Sequence, residues 1–85
     1  AAGFINRKAD PFIVTVEPKP DNEPMMFNNH GGQEFNFVIE GRMLVIIEGK
    51  ELILNEGDSL YFNSQLPHGM KALDGKTVRF LAVIM

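Results

Sequence analysis

The chain has 85 residues, 45% of them hydrophobic, which is enough apolar material for one small core and too little for a second domain. Lys and Arg total 8 against 11 for Asp and Glu, a net charge of -3 without any basic run, so this segment itself is not expected to bind nucleic acid. The sequence also lacks cysteine, a secretory signal pattern and any apolar run near the roughly 20 residues of a membrane helix, which excludes thiol chemistry and predicts a cytoplasmic protein without membrane contact.

Residues 1–10 are weakly patterned and are expected to form an N-terminal arm or linker. The chain starts at Ala1 without an initiator methionine and ends in an apolar run, so we expect either a piece of a longer protein or a processed chain. The first two strands are expected at 12–17 and 25–29, separated by a proline-rich loop that cannot pair as a strand.

From residue 34 onward, short apolar runs alternate with tight glycine turns, and no segment has the period of a helix. The expected strands are 34–40, 43–48, 51–54, 59–62, 68–73 and 77–84. About eight short strands with regular turn signals predict an all-β fold, either an antiparallel sandwich or a small barrel. Several strands are apolar on both of their faces and therefore need cover on both sides, so we expect a homodimer.

Two stretches carry the polar residues that could form a site. In the first, Asn28, His30 and Glu34 share parity, so in an extended strand an amide, an imidazole and a carboxylate would project to one face. The second stretch begins at Gly57 and ends at His68, the only other histidine of the chain.

These stretches resemble the two motifs of the cupin family. The first cupin motif is a spaced pattern of two histidines, a glutamate and a glycine, and its positions are occupied here by Asn28, His30, Glu34 and Gly41. The second motif is matched by a Gly-Asp pair at residue 57 and a Pro-His pair ending at residue 68. The resemblance implies one cupin domain over residues 1–85, with its motifs at 28–41 and 57–68, folded as an antiparallel jelly roll, also called a double-stranded β-helix.

In metal-binding members of this family, the motif residues hold one divalent ion inside the barrel. By position those residues are Asn28, His30, Glu34 and His68. An amide at position 28 is a weak ligand, and the remaining two imidazoles and one carboxylate are the ligand set of a facial triad for Fe, Mn, Ni or Zn. The alternative is that both histidines are hydrogen-bonded cavity residues, paired with Glu34 and Asn36, with no ion present. Under either interpretation, a small polar or anionic molecule is the expected ligand.

Six side chains are expected to shape the pocket around these groups: Asn36, Val38, Met43, Tyr61, Met70 and Phe80. For the apolar members, a place in the core is the competing interpretation. Tyr61 is the only tyrosine, and its hydroxyl could reach either a ligand or solvent.

The residues of both motifs also resemble those of the C-terminal cupin domains of bacterial helix-turn-helix regulators of the XRE type. That resemblance implies an effector-binding sensor domain of a transcriptional regulator. A stand-alone metal-dependent cupin enzyme, of dioxygenase or isomerase type, is the alternative, and a dimerisation module with a vestigial pocket is a third. No catalytic residue is assigned, because the sequence has no phosphate-binding glycine loop and no Gly-x-Ser-x-Gly elbow.

Overall fold

The computed structural model describes residues 10–20, 25, 27 and 29–85, so the expected arm lies outside the described residues except for Asp10. The described part contains strands and no helix. The strands are β1 (Asp10–Val16), β2 (Gln33–Glu40), β3 (Met43–Ile47), β4 (Lys50–Leu54), β5 (Ser59–Asn63), β6 (His68–Ala72) and β7 (Val78–Ile84). The predicted all-β class is confirmed. Among these residues there is accordingly no helix with the length and apolar character needed to cross a membrane.

One expected strand, 25–29, is not observed among the described residues. Met25, Phe27 and Asn29 are in no strand, while residues 26 and 28 lie outside the described residues. This segment lies between a proline-rich loop and a pair of glycines, which limits the ladder that it could form. The other strands begin and end within about two residues of their predicted bounds, as is usual for boundaries set by hydrogen bonding.

The strands form two antiparallel sheets. One has the order β1-β7-β2-β5 and the other the order β4-β3-β6. Of the strands in the described ranges, only β3 and β4 are consecutive along the chain and also neighbours in a sheet, so most connections cross between sheets, as in a jelly roll. Gly41 makes the tight crossing from β2 to β3, with φ at 89°. A Cβ at Gly41 would lie 2.8 Å from the Thr77 carbonyl oxygen, so this corner requires glycine.

Alternation along β2 assigns its residues to two faces of the sheet. Glu34, Asn36 and Val38 are buried, whereas Phe37 and Ile39 are 37% and 38% exposed. The inner face of the sheet therefore meets the core, which also contains buried side chains of β3, β6 and β7. The core residues are Val38, Met43, Val45, Leu54, Ala72, Val78, Phe80 and Ala82.

The outer face of the four-stranded sheet is mostly apolar. Two cross-strand rows span all four strands, and we call them together the outer apolar face. Its rows are Pro11-Val83-Phe35-Tyr61 and Ile13-Leu81-Phe37-Ser59. Ile13 is 56% exposed and Tyr61 is 59% exposed, so this face is open to solvent in the isolated chain.

Candidate metal centre and cavity

Three potential metal ligands converge between the two sheets. Glu34 lies near the start of β2, His68 is the first residue of β6, and His30 lies in the loop that leads into β2. The Glu34 Oε1 atom is 3.3 Å from the Nε2 atom of His30 and 3.7 Å from that of His68. One donor atom from each of the three residues lies within 4.8 Å of the others.

The ring of each histidine is turned so that Nε2 faces this point. His68 Nδ1 donates a hydrogen bond to the Leu66 carbonyl oxygen at 2.8 Å, and His30 Nδ1 is 3.3 Å from the Gly31 carbonyl oxygen. A carbonyl oxygen can only accept, so the short His68 contact places the proton of its neutral imidazole on Nδ1 and leaves a lone pair on His68 Nε2. His30 has an accepting oxygen 3.3 Å from each ring nitrogen, the Gly31 carbonyl at Nδ1 and the Glu34 carboxylate at Nε2. The tautomer selected for His68 is the one that binds a metal through Nε2.

The loop that carries His30 is fixed by backbone hydrogen bonds to the end of β5. The His30 amide donates to the Ser64 carbonyl oxygen at 2.9 Å, and the Ser64 amide donates to the Gly32 carbonyl oxygen at 3.1 Å. Gly32 has φ at 93°, and a Cβ there would collide with the Met85 carbonyl oxygen. His30 is therefore placed by a turn that tolerates only glycine at residue 32, and this turn lies in the gap between the predicted strands 25–29 and 34–40.

The arrangement fits a divalent transition metal. Metal–nitrogen and metal–oxygen bonds of about 2.1 Å put neighbouring donors about 3.0 Å apart in an octahedron and about 3.4 Å apart in a tetrahedron. The two carboxylate–imidazole distances, 3.3 Å and 3.7 Å, are close to these values, and all three donor atoms lie within 4.8 Å of one another. Without a cation or a proton between them, three electron-pair acceptors would repel one another, so this donor set is suited to a cation.

A cavity of about 550 Å³ lies beside the triad. One wall is formed by apolar side chains of β1 and β7, and the opposite wall is formed by β6. Glu17, Lys19 and Lys71 add charged groups to a lining that is otherwise mainly apolar. A volume of this size accommodates a small organic molecule.

The structure places the predicted pocket residues in different environments. Met70 and Phe80 line the cavity. Val38 and Met43 are fully buried in the core and are not among the lining residues, which corrects their assignment to the pocket. Asn36 is also fully buried, and it contacts Glu34 rather than the cavity.

Tyr61 is a second correction. It pairs with Phe35 on the outer apolar face, whereas its neighbour Phe62 is buried and points inward. The Phe62 ring packs edge-on against His68 with ring centroids 4.9 Å apart, so Phe62 supports the imidazole, a role that the sequence did not indicate. Asn28, the fourth predicted ligand, lies outside the described residues.

The contribution of β1 to the cavity was not predicted from the sequence. Phe12, Val14 and Val16 share parity, which marks them as one face of a strand. Their position in the cavity wall depends on the pairing of β1 with β7, which no local pattern reveals. Lys19 and Lys71 were likewise not predicted, because an isolated lysine usually lies in solvent.

Comparison with known proteins gives a consistent assignment. The model of the cupin domain family matches residues 12–84. A search of curated proteins gives no match. The chain is similar to the crystal structure of FeII HppE in complex with substrate, with 30% identity and a TM-score of 0.81 over 92% of this chain and 46% of that chain.

Two further solved structures are similar to the chain. One is hydroxypropylphosphonic acid epoxidase from S. wedmorenis in complex with fosfomycin, with 30% identity and a TM-score of 0.80, covering 92% of this chain and 44% of that one. The other is CoII HppE in complex with substrate, with 31% identity and a TM-score of 0.79, covering 92% and 45%. The chain therefore spans less than half the length of these proteins.

The family match extends from β1 to the end of β7 and includes both stretches that carry His30, Glu34 and His68. The two-sheet architecture and the solved structures agree with that match. The chain belongs to the cupin family.

Proposed function

We propose that this domain binds one divalent transition metal ion, with iron(II) as the first candidate, through His30, Glu34 and His68. We further propose that, as part of a longer protein, it uses this ion to act on a small anionic substrate in the adjacent cavity. The observation that carries the proposal is the convergence of two imidazole Nε2 atoms and one carboxylate oxygen at the cavity. Two histidines and one carboxylate are the ligand set of non-haem iron(II) oxygenases.

The similarity to solved metal complexes supports this choice of ion. Two of the matched structures are complexes of HppE with iron(II) and with cobalt(II). When bound, such an ion would supply Lewis-acid and redox chemistry to a ligand beside it. The residues of this chain would hold the ion, fix the tautomer of the His68 imidazole and surround the substrate with apolar walls that exclude water.

The lining of the cavity supports a substrate with an apolar body and an anionic group. Val14, Phe80 and Ala82 offer apolar contact, while the charged groups of the lining beyond the triad are Lys19, Lys71 and the single carboxylate of Glu17. Lysine binds phosphate, phosphonate and carboxylate groups as a point charge. This expectation agrees with the phosphonic acid for which the matched epoxidase is named, a protein that resembles this chain over less than half of its length.

The effector-sensor hypothesis uses the same cavity and differs in the fate of the ligand. A sensor domain of an XRE-type regulator would bind the small molecule and release it unchanged, whereas an enzyme would convert it. The matched solved structures are of an epoxidase, which favours the metal-dependent enzyme over the sensor.

The first experiment measures metal binding. Wild-type protein, prepared without chelator, is expected to bind about one iron(II) or cobalt(II) ion per chain by elemental mass spectrometry and to melt at a higher temperature when either ion is added. At an ion concentration of 100 times Kd, linkage predicts about 2.7 kcal/mol of stabilisation. The double variant His30→Ala and His68→Ala, and the single variant Glu34→Gln, should lose both responses.

The matched control is Glu51→Gln, which removes an exposed carboxylate of β4 that belongs to neither motif. Its metal response should equal that of the wild type. A metal response that survives in the double variant would place the ion elsewhere, and a wild-type protein indifferent to every divalent ion would refute the metal centre.

The second experiment distinguishes the enzyme from the sensor. Metal-loaded protein is incubated in air, with a reductant, with small phosphonates and carboxylates, and each mixture is followed by NMR. Consumption of one of these molecules that stops in Glu34→Gln supports the enzyme. Binding without any conversion, measured as a thermal shift of the metal-loaded protein, would support the sensor instead.

We also propose that the outer apolar face packs against a second copy of this chain. Exposed apolar area of this extent marks an interaction surface. The face is bordered by Arg79 and Glu40, whose side chains lie 3.8 Å apart and remain substantially exposed. Since this border carries both signs of charge, a two-fold related copy could set its own Glu40 against Arg79, which favours a second copy as the occupant.

A further inference from the structure

We propose that Asn36 is a positioning residue that restricts Glu34 to binding the metal through a single oxygen. The inference rests on the proposed metal centre and assigns a role to a residue outside the ligand triad. Its basis is the way in which the two oxygens of one buried carboxylate are divided between two different sets of partners.

Asn36 follows Glu34 by two residues on β2, so both side chains project to the inner face of the sheet. Asn36 is 0% exposed and Glu34 is 5% exposed. With the amide in the orientation that suits its neighbours, Asn36 Nδ2 donates to Glu34 Oε2 at 2.9 Å and to the Phe35 carbonyl oxygen at 3.3 Å. Both protons of the amide nitrogen are therefore used.

The other oxygen of Glu34 faces the histidines. Oε1 is the atom that lies 3.3 Å from His30 Nε2 and 3.7 Å from His68 Nε2. The carboxylate thus presents one oxygen to the candidate metal position while its second oxygen is occupied by a hydrogen bond. Bidentate binding by Glu34 would require breaking the buried hydrogen bond from Asn36 to the charged Oε2 atom. This hydrogen bond therefore holds Oε2 away from the ion.

The residue type at position 36 suits this task. A buried amide that donates to a carboxylate is neutral, so it satisfies Glu34 without competing with the metal as a counter-ion would. A leucine of similar size would fill the same space and leave Oε2 without this donor. The cross-strand neighbours of Asn36 are Leu60 and Ala82, whose side chains cannot replace its amide.

Monodentate binding by Glu34 determines how many positions on the ion stay open. Two imidazoles and a single carboxylate oxygen would leave a bound transition-metal ion with open positions for other ligands. Bidentate binding would occupy one of them. Asn36 therefore preserves an open position on the ion for a molecule in the adjacent cavity.

The experiment uses cobalt(II) as the probe ion, because its visible absorption reports the number and geometry of its ligands. Asn36→Leu and Asn36→Ala are each expected to weaken cobalt(II) binding by about 10- to 100-fold, as loss of an outer-shell hydrogen bond usually does. Both should also change the intensity and position of the visible bands. Asn36→Ala serves if the leucine variant does not fold.

The matched control is Val38→Ala, which also shortens a fully buried side chain on the inner face of β2. It should lower the melting temperature while leaving both cobalt(II) affinity and spectrum unchanged. Wild-type affinity and spectrum in the two Asn36 variants would overturn the inference. A wild-type protein that binds no cobalt(II) would instead refute the proposed metal centre.

A measurement on metal-free protein distinguishes failure of the Asn36 inference from failure of the proposed metal centre. In wild-type protein without metal, the side-chain amide protons of Asn36 should show a large chemical-shift difference and slow exchange with solvent, because both are donated in a buried site. Rapid exchange like that of an exposed asparagine would show that the contact with Glu34 does not form, and it would overturn the inference whatever the metal result.

Discussion

The two faces of β2 reverse the usual distribution of polar and apolar residues. At the start of this strand, Glu34 and Asn36 point into the protein and are buried, whereas Phe37 and Ile39 point outward and are more than a third exposed. An antiparallel sheet with one face in water normally shows the opposite pattern. Buried charge and exposed aromatic rings both carry a free-energy cost, so the reversal indicates that each face has a use beyond folding.

The inner face itself changes character along β2. Its first buried residues are polar and lie at the candidate metal position, while Val38 pairs with Phe80 in the apolar core. A single strand therefore carries the site at one end and the core at the other. The candidate site gains rigidity from this continuity, because the proposed ligand Glu34 and the core residue Val38 are parts of one hydrogen-bonded ladder.

The largest effect on the free energy of unfolding is expected from one of two phenylalanine substitutions on opposite faces of the same sheet. Phe80→Ala removes a ring that is 1% exposed and should lower the free energy of unfolding by about 3–5 kcal/mol. Phe37→Ala removes a ring that is 37% exposed, and it should cost no more than about half as much. Urea unfolding of both variants at one protein concentration measures the difference, and equal losses would contradict the assignment of faces.

A smaller effect is expected on association. Tyr61→Glu puts a charge on the outer apolar face at a position that is 59% exposed, so the single chain should fold and bind metal as before. The dissociation constant of the dimer should rise at least tenfold, about 1.4 kcal/mol, in sedimentation equilibrium.

Ile53→Glu is the matched control for association. Ile53 lies on β4 in the other sheet and is 55% exposed, yet it is not part of the outer apolar face. A monomeric wild type would exclude the second copy as a partner. Equal weakening by both variants would show that the interface lies elsewhere.

The smallest effect on stability is expected at the ion pair between Arg42 and Asp74, which lies on neither face of the four-stranded sheet. Arg42 Nε donates to Asp74 Oδ2 at 2.8 Å, and this hydrogen bond holds the pKa of the Asp74 carboxyl below its ordinary value of 3.8. A carboxyl whose pKa falls on folding stabilises the folded state above its unfolded pKa and loses this contribution as the pH falls through its folded pKa. The gain is small because both groups are exposed.

Asp74→Asn is the variant that tests this contribution. Asparagine tolerates the positive φ of 62° at this position, so the substitution removes mainly the charge. The variant should melt slightly below the wild type at neutral pH, and the two melting temperatures should converge as the pH falls below about 4. A difference that persists in acid would assign the effect to the turn instead.

Much of the fold could be predicted because its signals are local. Gly41 is followed by a new apolar run, and the alternation of Glu34, Asn36 and Val38 with apolar neighbours defines a strand with two faces. The spacing of His30, Glu34 and His68 matched the family motifs, and the structure brings these three residues together. The strands were thus predicted from short-range patterns, and the candidate site was predicted from the resemblance to the cupin motifs.

The incorrect predictions concern relations between distant segments. Both parities of β5 are apolar, with Leu60, Tyr61 and Phe62 in succession, so the sequence alone could not show that Tyr61 points outward. That direction follows from the pairing of Phe62 with Glu34. Register between strands is set by the whole sheet, and the position of β1 in the cavity wall was hidden for the same reason.

The position of β1 at the edge of its sheet has a kinetic consequence. Within the described sheets, β1 is hydrogen-bonded to β7 alone, and three of its side chains, Phe12, Val14 and Val16, form part of the cavity wall. An edge strand is released locally at a lower free energy than a central one, so its amides should exchange with solvent sooner than those of β2. Any molecule in the cavity would therefore rest against a wall strand whose hydrogen bonds open to water sooner than those of β2, the central strand that carries Glu34.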